Sequence, residues 1–123
     1  MKDISEKISG IKIFKVHGEK CLALGSRTVK QEDVDLISTV ENISKILFYS
    51  ITFKAKDLES LKNTLVRHVS IKHGNFSDQE FLQLCRIPTI KVIDLHDTLV
   101  TNEQIDKIKK ENSDILINVK SFC

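Results

Sequence analysis

The chain has 123 residues but only one proline and four glycines. So few turn formers argue against an all-β sandwich with many tight turns and against a disordered linker. No apolar run exceeds the four residues Ile46 to Tyr49, which excludes a membrane-spanning helix. The start, Met1-Lys2-Asp3-Ile4-Ser5-Glu6-Lys7, lacks the apolar stretch of a secretory signal, so a soluble cytoplasmic protein is expected. The three cysteines, Cys21, Cys85 and Cys123, have no short spacing, and they signal neither a disulfide framework nor a zinc site. Gly10, Gly18, Gly25 and Gly74 never cluster, so there is no phosphate-binding loop and no cofactor is expected. With 19 Lys+Arg against 17 Asp+Glu, a net charge of +2, no basic face for nucleic acid is signalled. The densest block, Lys107, Lys109 and Lys110, is diluted by Asp106 and Glu111 and reads as the solvated face of a helix.

What the chain does have is a repeat. Ile90, Ile93, Leu95, Thr98 and Val100 stand at set offsets. The same offsets hold Val66, Val69, Ile71, Gly74 and Phe76 one unit earlier, and Ile43, Ile46, Phe48, Ile51 and Phe53 before that. A weaker copy runs from Glu19 through Leu22, Leu24 and Arg27 to Val29, and a truncated one holds Asp114, Ile117 and Val119. Steps from Leu22 to Ile46, Val69, Ile93 and Ile117 are 24, 23, 24 and 24 residues. An unrepeated α/β domain would also alternate strands and helices, but it would not require these recurring columns, and it usually needs apolar strands longer than three to five residues.

The second half of each unit repeats as well. Val34, Leu58, Phe81 and Ile105 are followed three positions later by Ile37, Leu61, Leu84 and Ile108, which is helical spacing on one face. Polar residues able to cap a helix precede each pair: Gln31 to Asp33, Lys56-Asp57, Ser77-Asp78 and Thr101-Asn102. Pro88 falls between a helix and the next strand, where it harms neither.

At the N-terminal end, residues 11 to 16 alternate as a strand, His17-Gly18-Glu19-Lys20 reads as a turn, and Cys21 to Leu24 form the next strand, so an antiparallel hairpin starts the sheet. Asp3 to Ser9 is expected to form a short helix ended by Gly10. At the other end, residues 115 to 119 read as a last strand with no helix after it, whose edge is a candidate for weak self-association of an otherwise monomeric chain. The chain is expected to be one domain: a cap over 1–18, repeats of 23–24 residues over 19–119, and a tail over 120–123.

The pattern resembles the leucine-rich repeat family, and its helical second half is similar to the ribonuclease-inhibitor-like and cysteine-containing subclasses. That resemblance implies an α/β solenoid: a curved, mostly parallel sheet with helices on the convex side. One column departs from the family. Where it carries Asn or Cys to satisfy loop backbone groups, this chain has Arg27, Ile51, Gly74 and Thr98, so those groups need another partner.

In this architecture the columns beginning with Ile46 and Phe48, down to Ile117 and Val119, point inward, and the residues between them form the concave face. The first row of that face is Cys21, Lys45, His68, Val92 and Leu116; the second is Ala23, Leu47, Ser70, Asp94 and Asn118; the third is Gly25, Tyr49, Lys72, His96 and Lys120. Lys45, Leu47, Tyr49, His68, Ser70, Lys72, Asp94, His96, Asn118 and Lys120 are therefore the candidate partner-binding residues. Leu47 and Tyr49 are apolar where a purely solvated face would be polar; an aromatic among charges suits a binding anchor, or simply a strand.

A catalytic alternative starts from His73 and Asp97, which repeat register sets side by side as an acid–base pair, with Ser50 or Ser121 as nucleophile. No nucleophile elbow surrounds them. A metal site from His68, His73, His96 and Asp94 lacks any locally spaced ligand pair. Cys85, beside Leu82 and Leu84, reads as a small buried hydrophobe. The expected function is non-enzymatic binding of another protein. In size and organisation the chain is also similar to small bacterial immunity proteins, which implies an inhibitor that neutralises a cognate toxin; an adaptor or assembly factor is the alternative.

Overall fold

The computed structural model describes residues 11–40, 42–54, 58–112 and 114–120. The helix expected over Asp3 to Ser9 lies outside them, as do Lys56-Asp57, Ser121 and Cys123. In chain order come β1 (Lys12–Val16), β2 (Glu19–Val29), α1 (Gln31–Ile37), β3 (Ile43–Phe53), a 3-10 helix (Glu59–Asn63), β4 (His68–Gly74), α2 (Asp78–Cys85), β5 (Val92–His96), α3 (Asn102–Glu111) and β6 (Leu116–Lys120). The six strands form one sheet in sequence order. The β1–β2 pair is antiparallel and every other pair is parallel, so the protein is α/β with a mostly parallel sheet. Among the described residues no helix is long and apolar enough to cross a membrane.

The expected hairpin forms, but with a shorter turn: Glu19 and Lys20, read as turn residues, are the first two residues of β2. Val16 pairs with Glu19, leaving His17-Gly18 as a two-residue loop with φ of 52° and 80°. Two consecutive positive φ values give the primed turn whose twist matches that of the flanking strands.

Burial alternates along β5 and over Ile46–Phe48 and Ile51–Phe53 of β3, whereas Cys21 to Leu24 of β2 and Val69 to Ile71 of β4 are buried without a break. Leu22, Leu24, Ile46, Phe48, Val69, Ile71, Ile93, Leu95 and Ile117 are all in one core cluster. The helical pairs Val34/Ile37, Leu58/Leu61, Phe81/Leu84 and Ile105/Ile108 complete it. Each crossover thus returns an apolar stripe to the same sheet face.

Three further features differ from expectation. First, Leu58 and Leu61 are buried by a 3-10 helix and its flank rather than an α-helix. A separation of three residues satisfies the tighter turn as well, because there positions i and i+3 eclipse. Second, β2 and β3 run 11 residues, not three to five. Both pass through a residue in the left-handed region, Ser26 at φ 54° and Ser50 at φ 52°, with His73 and Asp97 at 55° and 54° in the same column. Such a residue costs about 1–2 kcal/mol without glycine, and it bends the strand, so simple alternation no longer traces where the strand ends. Third, Val119 is not in the core but 49% exposed, because no described helix follows β6 to cover it.

Loop backbone groups find partners other than the column of Arg27, Ile51, Gly74 and Thr98. Asn75 Oδ1 accepts the Phe53 N–H at 2.7 Å, and its amide donates to the Phe53 carbonyl at 3.3 Å. Gln83 Oε1 accepts the Leu58 N–H at 2.9 Å. Asp78 accepts both the Thr101 N–H, at 2.7 Å, and the Thr101 hydroxyl, at 2.9 Å. Each of these bonds ties one unit to another 22 to 25 residues away. Thr101 in turn caps α3 by accepting the Gln104 N–H. At α1 the capping position is Lys30: Asp33 Oδ2 reaches back to its N–H at 2.9 Å while pairing with Arg27 at 3.3 Å. Arg27 therefore lets a carboxylate be buried at the head of a helix.

Candidate binding face

The face of the sheet turned away from the helices carries the three rows. Strand register places Cys21, Lys45, His68, Val92 and Leu116 side by side. The rows Ala23, Leu47, Ser70, Asp94, Asn118 and Gly25, Tyr49, Lys72, His96, Lys120 are aligned in the same way. Antiparallel pairing adds residues of β1: Lys12 lies opposite Ala23, and Phe14 opposite Cys21.

Exposure across this face is uneven. Lys72 and Asn118 are exposed, Lys45, Leu47, Tyr49, His68, Asp94 and His96 are half-buried, and Ser70 is buried. Towards the hairpin, Phe14, Cys21, Lys45, Leu47 and His68 line a cavity of about 310 Å3. Phe14 is 44% exposed there. Only the antiparallel register shows that it stands opposite Cys21, whose partner on β3 is Lys45, so that it shares the cavity with Leu47.

Tyr49 has a structural task. A Cβ placed on Gly25 would fall 2.0 Å from Cε2 and 2.2 Å from Cζ of Tyr49. The ring therefore occupies the space that a side chain at 25 would fill. Both residues stand in one row of the sequence, so a glycine beside an aromatic was the available signal.

The polar groups form two clusters. His68 Nε2 lies 2.5 Å from Asp94 Oδ2, and the Asn118 amide donates to Asp94 Oδ1 at 2.8 Å. Partial burial pushes the Asp94 carboxyl up, but the hydrogen bonds from Asn118 and His68, with the charges of His68 and Lys45, outweigh it and hold the group below its ordinary value. A depressed carboxyl stabilises the fold fully above its unfolded value of about 4 and loses that contribution as pH falls through the folded value. Asp94→Asn is accordingly expected to narrow the gap in urea midpoint between pH 7 and about pH 3; an unchanged gap would place the acid sensitivity elsewhere.

The second cluster is His73 Nδ1, 3.2 Å from Asp97 Oδ2, with the His73 and His96 rings 5.3 Å apart. Ser50 occupies the same left-handed column one strand away, while Ser121 lies outside the described residues. His68 and Asp94 thus belong to one pair and His73 and Asp97 to another. Among the described residues no group of three His, Cys, Asp or Glu side chains could hold a metal ion. Burial pushes the half-buried Cys85 thiol up to about 11, so at neutral pH it carries little thiolate.

Comparison with protein-family models, curated proteins and solved structures found no match to this chain.

Proposed function

We propose that the chain is a non-enzymatic protein-binding repeat protein, a short leucine-rich-repeat-like solenoid that docks a protein on the sheet face opposite its helices. The observation that carries this reading is the unbroken row structure of that face, from Cys21 to Leu116 and from Ala23 to Asn118. Rows of this kind set side chains at strand spacing across five strands, a breadth suited to a macromolecule rather than a small molecule. Chemically the face carries apolar groups at both ends, Phe14 and Leu47 at one and Leu116 at the other, with the polar Asp94 and Asn118 beside the latter, the mixture from which anchors and a specifying rim are made.

Within that class the reading is an inhibitor of the immunity type, acting in the cytoplasm by masking a cognate toxin. A steric inhibitor needs no catalytic group, only a rigid surface whose side chains are held before binding. The Tyr49–Gly25 packing and the His68–Asp94–Asn118 bonds supply such preorganisation.

The test is capture of a partner from the organism's own lysate with tagged wild-type chain, followed by the same capture with Leu47→Asp/Lys72→Glu. The double variant is expected to weaken the complex by about 3 kcal/mol or more, with an unchanged thermal unfolding midpoint. Equal affinity would move the interface off this face. Turnover of an ester substrate that disappears in His73→Ala would replace the binding reading with an enzymatic one.

A further inference from the structure

A second surface lies at the rim where the parallel strands begin. Its row runs Lys20, Ser44, Arg67, Lys91, and hydrogen bonds join the members directly. The Ser44 hydroxyl donates to the Lys20 carbonyl at 3.3 Å, the Arg67 N–H to the Ser44 carbonyl at 2.9 Å, and the Lys91 N–H to the Arg67 carbonyl at 2.7 Å. Three cations thus stand along one edge of the sheet. With Lys15 from the hairpin they line a cleft of about 780 Å3. Among the described residues that line it, the only acid is Glu19, and its carboxylate is already bonded to Arg67. The whole chain has a net charge of only +2, so this concentration is local rather than a consequence of overall composition. Leu65, 61% exposed, forms an apolar part of the same lining.

We propose that this cleft receives an acidic segment of the protein partner, one carrying an aliphatic side chain between its carboxylates. The proposal rests on the protein-binding reading but uses a surface distinct from the rows of the open face. Each half of the ligand follows from the lining. Lys15 and Lys91 call for carboxylates, which they would also attract over distance. Leu65 calls for an apolar side chain, since a fully charged ligand would leave it against water. A nucleic acid fits less well: among the described residues no aromatic lines the cleft on which a base could stack.

The probe is a short fluorescein-labelled peptide alternating leucine and glutamate, titrated with the full chain and followed by anisotropy. Wild type is expected to bind it, more weakly as salt rises. Lys15→Glu/Lys91→Glu should weaken binding about tenfold or more, and Leu65→Asp should also weaken it, with far-UV circular dichroism unchanged. Lys107→Glu/Lys110→Glu on α3, which changes net charge by the same amount, should leave binding intact. Failure of wild type to bind, equal loss in both lysine pairs, or tighter binding of a single-stranded oligonucleotide at the rim would each overturn the proposal. The open-face variant Leu47→Asp/Lys72→Glu separates the two readings. Peptide binding retained by that variant with loss of the partner supports both surfaces; a partner still captured while wild type ignores the peptide overturns the rim alone.

Discussion

Phe53→Ala is expected to lower the unfolding free energy by about 3–5 kcal/mol, a large share of what a domain of this size possesses. Phe53 is 5% exposed and stands between two other rings. Its centroid lies 5.2 Å from Phe48 at 72° and 5.4 Å from Phe76 at 61°. Both are edge-to-face contacts, which add about 0.5–1.5 kcal/mol each beyond area burial. Truncation would therefore remove one ring and the middle of a chain of three. The cavity would not readily collapse, because Asn75 holds the Phe53 backbone at both its N–H and its carbonyl. Urea denaturation of Phe53→Ala and of Asn75→Ala, with the double variant, checks this. Asn75→Ala alone should cost about 1–2 kcal/mol. In the double variant the Phe53 loss should be smaller than in the single, since a released backbone can move into the space. Strict additivity would show that Asn75 does not brace the cavity.

The parallel register was legible because each strand must bury two residues at fixed offsets, and a slip of one would turn both to solvent. Leu22/Leu24, Ile46/Phe48, Val69/Ile71 and Ile93/Leu95 satisfy this together, and so the rows between them followed without structural data. What stayed hidden was whatever depends on side chains reaching between units. The Asn75 bonds to Phe53, the Gln83 bond to Leu58 and the Asp78 bonds to Thr101 satisfy loop backbone with three different residues at three different offsets, not with a single repeated column. A column search finds one residue type at one position and passes over such a solution. The long β2 and β3 were hidden for a related reason: Ser26 and Ser50 are left-handed without being glycine, so composition gave no sign of the bend. On the open face the rows placed Leu47, Tyr49, Asp94 and Asn118 correctly as neighbours. They did not show which members spend their contacts on one another. Asp94 and Asn118 are joined by a hydrogen bond, and Tyr49 is laid over Gly25. The partly buried Leu47 and the exposed Lys72 are thus better probes of partner binding than Tyr49, whose loss would also disturb the sheet beneath it.

Gly74→Ala is expected to destabilise the protein by about 2–3 kcal/mol, against the usual direction for this substitution. Gly74 has no positive φ, so alanine suits its backbone, and the lower entropy of the unfolded chain alone would stabilise by about 0.4–1 kcal/mol. The clash decides the sign. The new Cβ would sit 2.5 Å from the Ile51 carbonyl oxygen, and that oxygen belongs to backbone paired in register with Gly74 itself. No rotamer change can relieve it; β3 and β4 would have to part at their ends, beside Phe53 and Phe76. Gly25→Ala provides the contrast. There the three atoms nearest the Cβ all belong to the Tyr49 ring, a side chain that can swing out towards solvent at the price of its packing. Gly25→Ala should therefore be milder, and adding Tyr49→Ala should recover part of its loss, whereas no side-chain truncation should rescue Gly74→Ala. Chemical denaturation of the three variants measures all of this. If Gly74→Ala proved as stable as wild type, β3 and β4 would have room to separate at Ile51, and the tight pairing there would not be what fixes a glycine at this position.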